Sequence, residues 1–423
     1  MINSKMNNSQ LTIYHSPLKK VPQIRFKGFD GGWHAKTIHE LINEGAILPP
    51  QDGNHGEIHP KAADYVTQGI PFIMAKNIRD GELELYDCSH ITREQAESLK
   101  KGFAKTGDVL LTHKGTVGET AVVCESKFPF IMLTPQVTYY RVADREKLDN
   151  RFLAVSFNTG NFQHALKEVS GGGTRAYIGI TQQKNLRITL PPERSEQTKI
   201  SGYFRELNRL IGLHQRKQDK LVTLKKAMLQ KMFPQPGATT PEIRFKGFSG
   251  DWVEKKLHSL ADRYDNLRIP VSASNRIPGN TPYYGANGIQ GYVHSYTHDG
   301  EFILVAEDGA NDLKNYPVQY VSGKIWVNNH AHVLQGKVGL AETRFLKYAF
   351  TQINVEAFLV GGGRSKLNAE TMMQLELCSP VDIEEQQKIG HYFRTLDELI
   401  SKHAIQLQKL KQIKSACLEK MFV

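Results

Sequence analysis

The feature that most constrains this 423-residue chain is an internal repeat, in which motifs of the first half of the sequence return in the second half. Residues 22–33, PQIRFKGFDGGW, return as residues 241–252, PEIRFKGFSGDW, with nine of twelve positions identical. Later elements recur as well, so that Tyr203-Phe-Arg returns as Tyr392-Phe-Arg and Lys231-Met-Phe as Lys420-Met-Phe. An internal repeat of this kind predicts two modules built on one plan.

The two copies are alike at their ends and different in their middles. The offset between equivalent positions is larger at the opening motif (22 to 241) than at the closing motifs (203 to 392), which makes the first copy the longer one between them. This pattern favours two modules that share a scaffold and carry different recognition surfaces.

Each copy closes on a long segment without an interior proline, residues 193–233 and 382–423. Apolar residues recur there at alternating spacings of four and three, which is the heptad pattern of a helix that packs along a narrow stripe. Such a stripe needs a partner helix, and the matching register makes the other copy the natural one. The predicted seam consists of Ile200, Phe204, Leu207, Ile211, His214 and Leu221 in the first segment and Ile389, Phe393, Leu396, Ile400, His403 and Leu410 in the second.

Polar residues interrupt this seam at equivalent positions, His214 with His403 and Lys225 with Lys414. One interpretation is that they are tolerated near exposed helix ends. The other is that they fix the register of the pair, as a polar seam residue can. The sequence leaves both open.

The middle regions are predicted to be mixed α and β. Strands are expected at residues 108–112 and 119–124, around a turn at 114–118, and at residues 302–305 and 324–327. Helices are expected at residues 153–169 and 346–360, each followed by a glycine triplet that suits a helix C-terminus.

The net charge of +11 favours a polyanionic partner, but its distribution restricts that inference. Residues 193–233 hold ten basic and four acidic residues, while the middle regions are nearly balanced. A nucleic-acid surface on the middle regions would therefore be a local patch. No apolar run reaches the length of a membrane span or a signal-peptide core, and the four cysteines form no CxxC motif, so we expect a cytoplasmic protein.

Motifs of catalysis are missing from the sequence. There is no GxxxxGK[ST], GxGxxG, GxSxG or HExxH, and residues 171–175, GGGTR, resemble a phosphate-binding loop only superficially. One metal site is compatible with the sequence, because His330 and His332 would share a strand face and could be joined by Asp308. Two histidines without a third ligand at motif spacing are more often polar surface residues, so this interpretation is the less favoured one.

Taken together, these residues closely resemble the specificity (S) subunit of type I restriction–modification systems, from Pro22 onward. The resemblance rests on the duplicated opening motif and on the proline-preceded helix starts at residues 196–200 and 385–389, EQTKI and EQQKI. Segments of the middles also look like recurrent parts of the family's target recognition domains. These segments are KNIRDG at 76–81, GDVLLTHKGTVG at 107–118, YYGANGIQGY at 283–292 and WVNNHAH at 326–332.

The resemblance implies an α+β fold in which two globular target recognition domains are separated by two long antiparallel coiled-coil helices, with an internal pseudo-two-fold repeat. The corresponding boundaries are an N-terminal tail at 1–21, the first recognition domain at 22–192, a central helical spacer at 193–236, the second recognition domain at 237–380 and a C-terminal helical spacer at 381–423.

The same resemblance implies a non-catalytic chain that binds a bipartite, asymmetric site on double-stranded DNA. Its expected partners are methyltransferase (M) subunits and, through them, restriction–motor (R) subunits, with no membrane involved. No cofactor is expected on this chain, since S-adenosylmethionine, ATP and Mg belong to the partner subunits. The competing interpretations are a stand-alone or silent DNA-binding protein and, from another class, a metal-dependent enzyme at Asp308, His330 and His332.

Candidate DNA contacts are polar residues in or beside turns of the middle regions, and each is weighed against a plain role as a solvated loop residue or turn former. The motif residues Arg25, Phe26 and Trp33, with Arg244, Phe245 and Trp252, occur in both copies and cannot encode two different half-sites. They are assigned to scaffold packing or M docking. The candidate contacts are Lys76, Asn77, Arg79, Lys114, Thr116, Thr174 and Arg175 in the first copy and Tyr284, Asn287, Gln290, Asn328, Asn329, His330, His332 and Arg364 in the second.

Overall fold

The computed structural model describes residues 11–13, 21–171, 176–361 and 365–423. Most of the predicted N-terminal tail and the candidate contacts Thr174, Arg175 and Arg364 lie outside the described residues. The chain divides into two compact units, residues 1–213 with 406–423 (unit 1) and residues 214–405 (unit 2).

Unit 1 is a mixed unit of short strands and helices. Its strands are β1 Leu11–Ile13, β2 Ile24–Phe26, β3 His34–Thr37, β4 Gln51–Asp52, β5 Ile70–Ile73, β6 Ile78–Arg79, β7 Glu82–Leu83, β8 Ser89–Ile91, β9 Phe103–Ala104, β10 Val109–Lys114, β11 Thr116–Val122, β12 Ile131–Leu133, β13 Val137–Tyr140 and β14 Arg187–Leu190. Its helices are α1 Ile38–Asn43, α2 Arg93–Ser98, α3 Asn150–Phe157, α4 Gly160–Ser170, α5 Ile180–Gln183, the first part of α6 Arg194–Met232 and the last part of the C-terminal helix α10 Ile383–Lys420.

Two four-stranded sheets, in the orders β11-β10-β13-β4 and β8-β5-β12-β9, form the centre of unit 1. The predicted strands at 108–112 and 119–124 are confirmed as β10 and β11. The turn between the two strands is shorter than predicted, because Gly115 is the one residue between them. Its φ is +81°, a conformation that glycine adopts without strain.

Unit 2 is built on a single larger sheet. Its strands are β15 Val253–Lys256, β16 Ala261–Arg263, β17 Pro278–Gly285, β18 Gly288–Val293, β19 His298–Ala306, β20 Val318–Val327, β21 Ala331–Gly336 and β22 Glu376–Ser379. Its helices are the last part of α6, α7 Leu257–Leu260, α8 Thr343–Phe350, α9 Ala369–Met373 and the first part of α10 Ile383–Lys420. Six strands follow the order β16-β21-β19-β20-β17-β18, and the predicted strands at 302–305 and 324–327 are confirmed within β19 and β20.

The predicted single helices before the glycine triplets are wrong in their extent. The first is two helices, α3 and α4, because the Thr159 side chain accepts a hydrogen bond from Phe162 N and starts a new helix. The second is α8 followed by a separate 3₁₀ turn at Val355–Phe358. Gly171, with a φ of +72°, ends α4 as the triplet predicts.

The two long helices α6 and α10 confirm the heptad prediction. In unit 1, Phe204 and Leu207 of α6 pack in one core with Cys417 of α10 and with Met421, which directly follows α10. In unit 2, Phe393 of α10 packs in one core with Met232 of α6. All twelve predicted seam residues are buried or half-buried.

Within unit 2 the helices run antiparallel. His214 contacts His403, and Phe233, which directly follows the end of α6, contacts Phe393, which lies earlier in α10. The two histidines lie in the middle of their helices, with Nδ1 atoms 2.9 Å apart, so the interpretation that places them near exposed ends is wrong. No helix in the described ranges is both long and apolar enough to span a membrane.

Candidate DNA interface

A pair of equivalent ion pairs holds the repeated motif of each unit to its long helix. Arg25 donates from Nε and Nη2 to the Glu196 carboxylate, at 2.7 Å each, and Arg244 does the same to Glu385. Each arginine also donates to two carbonyl groups of the following loop. Trp33 and Trp252 are buried in both copies. The structure therefore places these repeated residues in scaffold packing, and we call each Arg–Glu pair with its loop a clamp.

Two turns of unit 1 carry its candidate contacts. The first runs from residue 75 through the hairpin β6–β7, whose two-residue turn Asp80-Gly81 has positive φ at both positions, +53° and +87°. An Asp-Gly pair suits such a type I′ turn. The second turn is the one at Gly115 between β10 and β11. Both strands of the small hairpin pack on β11, which brings the two turns together.

One cavity of about 620 Å³ lies between these turns and is lined by Lys76, Arg79, Lys114 and Thr116. Four of the five unit 1 candidates that are described are thus gathered around one space. In the described part of the chain, no carboxylate lies within 4.0 Å of the nitrogen atoms of its three cations, whose side chains are exposed. Such cations around a cavity suit a phosphate or a base edge.

The fifth candidate, Asn77, has a structural role. Its side chain is buried, its Oδ1 accepts a hydrogen bond from Met74 N at 3.0 Å, and its Nδ2 donates to Asp87 O at 3.4 Å. It shapes the turn that presents Lys76 and does not itself reach the cavity.

Beneath the second turn lies His113, which is fully buried. Its Nδ1 is 3.0 Å from Ile178 O, and burial lowers the pKa of the ring. The neutral ring therefore anchors the strand that ends in Lys114 without adding a positive charge to the cavity.

Sequence reasoning missed three polar residues of this cavity, Asp80, Glu119 and Gln136. Asp80 had a usable signal, since Asp-Gly between two short β segments is typical of a hairpin tip. Gln136 accepts a hydrogen bond from Ala75 N through Oε1 at 3.3 Å, a contact over 61 residues that no local pattern predicts. Glu119 stands within a strand, where its spacing from the turn alone does not mark it.

The candidates of unit 2 gather at the turn of the β17–β18 hairpin and at the end of β20. Tyr284 pairs with Val327 in the parallel β17–β20 ladder, which brings the hairpin next to the following residues. Exposed side chains here are Asn287, Gln290 and Asn329. Asn287 braces its loop, donating to Gly309 O at 2.8 Å and accepting from Asn311 N at 3.0 Å.

Two candidates of unit 2 lie in its interior. Asn328 is 4% exposed, and its Oδ1 accepts from His330 N at 2.8 Å. His332 is 1% exposed, with Nδ1 2.7 Å from Asp265 Oδ2 and Nε2 2.9 Å from Leu367 O. The exposed candidates on this hairpin are therefore the amides Asn287 and Gln290, which lie beside the exposed apolar and aromatic side chains of Ile289 and Tyr292. Tyr284 is half-buried, and burial raises its pKa.

The metal site considered for Asp308, His330 and His332 is not assembled. His330 Nδ1 lies 2.5 Å from Asp308, whereas His332 turns into the interior toward Asp265. The strand β21 begins only at Ala331, so the two histidines do not share a strand face as predicted.

His332 does lie near two carboxylates, those of Asp265 and Glu307, with ligand atoms within 4.8 Å of one another. Cations already occupy this cluster. Arg268 is 2.6 Å from Glu307 and Lys366 is 2.9 Å from it. Although burial opposes it, the hydrogen bond from His332 holds the pKa of Asp265 below its ordinary value. We interpret the cluster as an ion-pair network that ties separate segments of unit 2 together.

Comparison with known proteins gives matches in both halves of the chain. The family model for the type I restriction modification DNA specificity domain matches residues 33–223 and again residues 249–414. A putative type I restriction enzyme specificity subunit of Haemophilus influenzae is 46% identical over 139 residues, which is 33% of this chain and 35% of that protein. The putative MjaX specificity subunit of Methanocaldococcus jannaschii is 22% identical over 372 residues, or 81% of this chain and 85% of its own length.

A solved structure shows the same fold. The S subunit of a type I restriction–modification system from M. genitalium superimposes with a TM-score of 0.72 over 95% of this chain and 99% of that one, at 14% sequence identity. The architecture predicted from the sequence, two recognition domains with long antiparallel helices, is thereby confirmed.

Proposed function

Since the chain belongs to the type I restriction–modification DNA specificity family, we propose that it recognises a double-stranded DNA site made of two unlike half-sites and brings M and R subunits to it. Unit 1 reads one half-site through Lys76, Arg79, Lys114 and Thr116. Unit 2 reads the other through the exposed or half-buried candidates of its hairpin and β20 end, namely Tyr284, Asn287, Gln290, Asn329 and His330. Thr174, Arg175 and Arg364 stay predictions.

The observation on which this proposal rests is that the two units share a scaffold but expose different candidate contacts. Both units have the same Arg–Glu clamp with nearly the same distances. Apart from the clamp, unit 1 presents three cations around a cavity, and unit 2 presents the exposed amides of Asn287 and Gln290 on its hairpin. Lysine and arginine suit phosphates and guanine, while asparagine and glutamine suit adenine. Two unlike readers on one scaffold suit an asymmetric site.

We assign no catalytic step to this chain. Methyl transfer to a base requires that the base be flipped out of the duplex and held against a cofactor. That chemistry, with S-adenosylmethionine, ATP and Mg, belongs in this proposal to the M and R partners. The polar residues described here hold or read a duplex.

The test is methylation mapping in a host that carries this chain together with its M subunits. We expect one methylated motif with two different halves, and its loss when this chain is deleted while M is kept. A motif that survives the deletion, or one with identical halves, would contradict the proposal. A chain that binds DNA but does not co-purify with co-expressed M would indicate a stand-alone DNA-binding protein instead.

A further inference from the structure

The cationic cavity of unit 1 also contains two carboxylates. Asp80 at the hairpin tip and Glu119 on β11 line the same space as Lys76, Arg79 and Lys114. Within the residues that the structure describes, neither carboxylate has an ion-pair partner within 4.0 Å. Asp80 is exposed and Glu119 is half-buried.

This lack of partners separates Glu119 from the other shielded carboxylates of unit 1. Asp108 accepts two hydrogen bonds from Arg141, and Glu196 two from Arg25. Asp52 binds both Lys101 and His55. A half-buried carboxylate without a partner loses part of its hydration and gains no cation in exchange, so a ligand that donates a hydrogen bond would satisfy it.

Duplex DNA limits what that ligand can be. A carboxylate only accepts hydrogen bonds, and phosphate oxygens repel it. Donors on base edges in the major groove are the exocyclic amino groups, N4 of cytosine and N6 of adenine, whereas guanine and thymine present carbonyl oxygens at the corresponding place. The three cations around the cavity offset the repulsion between the carboxylate and the backbone.

We propose that Glu119 is a specificity-determining residue, whose carboxylate accepts a hydrogen bond from the exocyclic amino group of a cytosine or adenine in the half-site read by unit 1. This inference rests on the proposed function. It assigns the cavity two tasks. The cations hold the DNA. At a single position, Glu119 favours a base with an exocyclic amino group and disfavours a base with a carbonyl oxygen at the same place.

Glu119 rather than Asp80 is assigned this task because of where each side chain is held. Glu119 stands on β11 at an irregularity of the β10–β11 ladder, between the paired residues Val117 and Thr120, and its backbone is held there because Glu119 N donates to Thr112 Oγ1 at 3.0 Å. Asp80 sits on a two-residue turn beside the long helix, where a Cβ on Gly81 would lie 3.3 Å from Asn208 Nδ2. A base reader benefits from a rigid support.

A structural role for Glu119 would be to offset the charge of Lys414 on α10. Asp80, Glu82 and Glu119 all act in that direction, although burial still lowers the pKa of Lys414. Glu82 offers a matched control, since its charge acts on Lys414 but it does not line the cavity. A role limited to Lys414 would alter stability alike in both variants and leave sequence preference unchanged.

The experiment uses the full chain in complex with M and compares wild type, Glu119→Ala and Glu82→Ala. Alanine is chosen because glutamine would keep a carbonyl oxygen that also accepts from an amino group. DNA duplexes carry, one position at a time, an analogue without the amino group, purine for adenine or 2-pyrimidinone for cytosine. For wild type and E82A we expect one position of one half-site at which the analogue weakens binding by about tenfold or more. For E119A we expect the analogue at that position to matter at least severalfold less. Whether purine or pyrimidinone has the effect identifies the base.

An analogue penalty that is equal in E119A and wild type at every position overturns the inference, and so does a penalty that E82A loses equally. These outcomes are distinct from failure of the proposed function, in which wild type itself shows no sequence preference. Because the analogues are also applied to the wild-type protein, a wild type that tolerates all of them overturns the inference as well, even if E119A does not fold.

Discussion

Lys225 in unit 2 and Lys414 in unit 1 stand at equivalent seam positions of the repeat, in unlike surroundings. Lys225 Nζ lies 2.5 Å from Asp397, a carboxylate that also binds Lys347 at 2.5 Å and the Tyr348 hydroxyl at 2.9 Å. The position equivalent to Asp397 in unit 1 is Asn208, whose Oδ1 is buried without a hydrogen-bond partner among the described residues. In the same part of the chain, no carboxylate lies within 4.0 Å of Lys414.

The difference shows that a repeated residue need not mean a repeated interaction. The clamps have kept both partners and their geometry, with Arg–Glu distances of 2.7 Å in each unit. At the seam position of Lys225 and Lys414, both units have a lysine, but the residue at the partner position is Asp397 in unit 2 and Asn208 in unit 1. A repeated residue thus marks a shared scaffold only where its contacts are repeated too.

The largest effect is expected at the clamps. Arg25→Ala leaves the buried Glu196 carboxylate without its cation, and we expect the free energy of unfolding to fall by about 3–5 kcal/mol. Arg244→Ala should cost less, because the Arg244 side chain is 16% exposed and that of Arg25 only 2%. Urea unfolding followed by tryptophan fluorescence measures both. Lys36→Ala, which breaks an exposed pair with Glu44, is the control and should cost at most about 1 kcal/mol. Equal losses for the two arginines would contradict this ranking.

The next effect tests the seam lysines directly. Asp397→Asn gives unit 2 the side chain that unit 1 has, and it removes the hydrogen bonds that Lys225, Lys347 and Tyr348 make to a carboxylate. We expect the free energy of unfolding to fall by about 2 kcal/mol. The reverse change, Asn208→Asp, places a carboxylate at the level of Lys414 and should raise stability by a smaller amount. If both variants change stability in the same direction, the comparison of the two seams fails.

A smaller effect is expected on DNA binding. Lys114→Gln removes a cation of unit 1, and we expect affinity for duplex DNA to fall by roughly 1 kcal/mol, about fivefold, for all sequences. The slope of log affinity against log salt concentration should decrease by about 1. Gln290→Ala in unit 2 should leave the slope unchanged and alter sequence preference, because an amide contributes no charge. A changed slope in the Gln290 variant would contradict the assignment of unlike tasks.

The smallest effect concerns the pH dependence of the His214–His403 pair. Burial lowers the pKa of both rings, helped by His403 and Lys217 at His214 and by Lys217 and Lys402 at His403. The unfolded chain therefore binds more protons than the folded one, and the stabilising contribution present above about pH 6.5 is lost as pH falls through the lowered pKa values. Each ring contributes at most about 1.4 kcal/mol per pH unit. Unfolding at pH 7.5 and 5.5 should show a smaller difference for His403→Leu than for wild type, and an unchanged difference would count against the pair.

The long helices could be predicted because their seam is a local periodic pattern that repeats over many turns. Lys76, Arg79 and Lys114 could be predicted as candidate contacts, because all three are polar residues in or beside turns. What no local pattern encodes is the direction of single side chains. Asn77 and Asn328 look like their exposed neighbours in sequence, yet both are held in the interior.

The metal interpretation failed for a related reason. It assumed a regular strand through His330 and His332, but regular strand pairing begins at Ala331, and Asp265, 67 residues away, takes His332. Glu119 was missed because a charged residue in a strand has no signal until the neighbouring turns are placed beside it.

The contact between His214 and His403 joins a residue to its own repeat equivalent, 189 positions later. Because the helices run antiparallel in unit 2, residues that follow His214 in α6 lie beside residues that precede His403 in α10. An inserted heptad beside Lys225 is therefore matched by one beside Asp397, its contact, and not by one beside Lys414, its sequence equivalent. Any redesign of helix length in unit 2 has to follow the contacts between the helices rather than the sequence repeat.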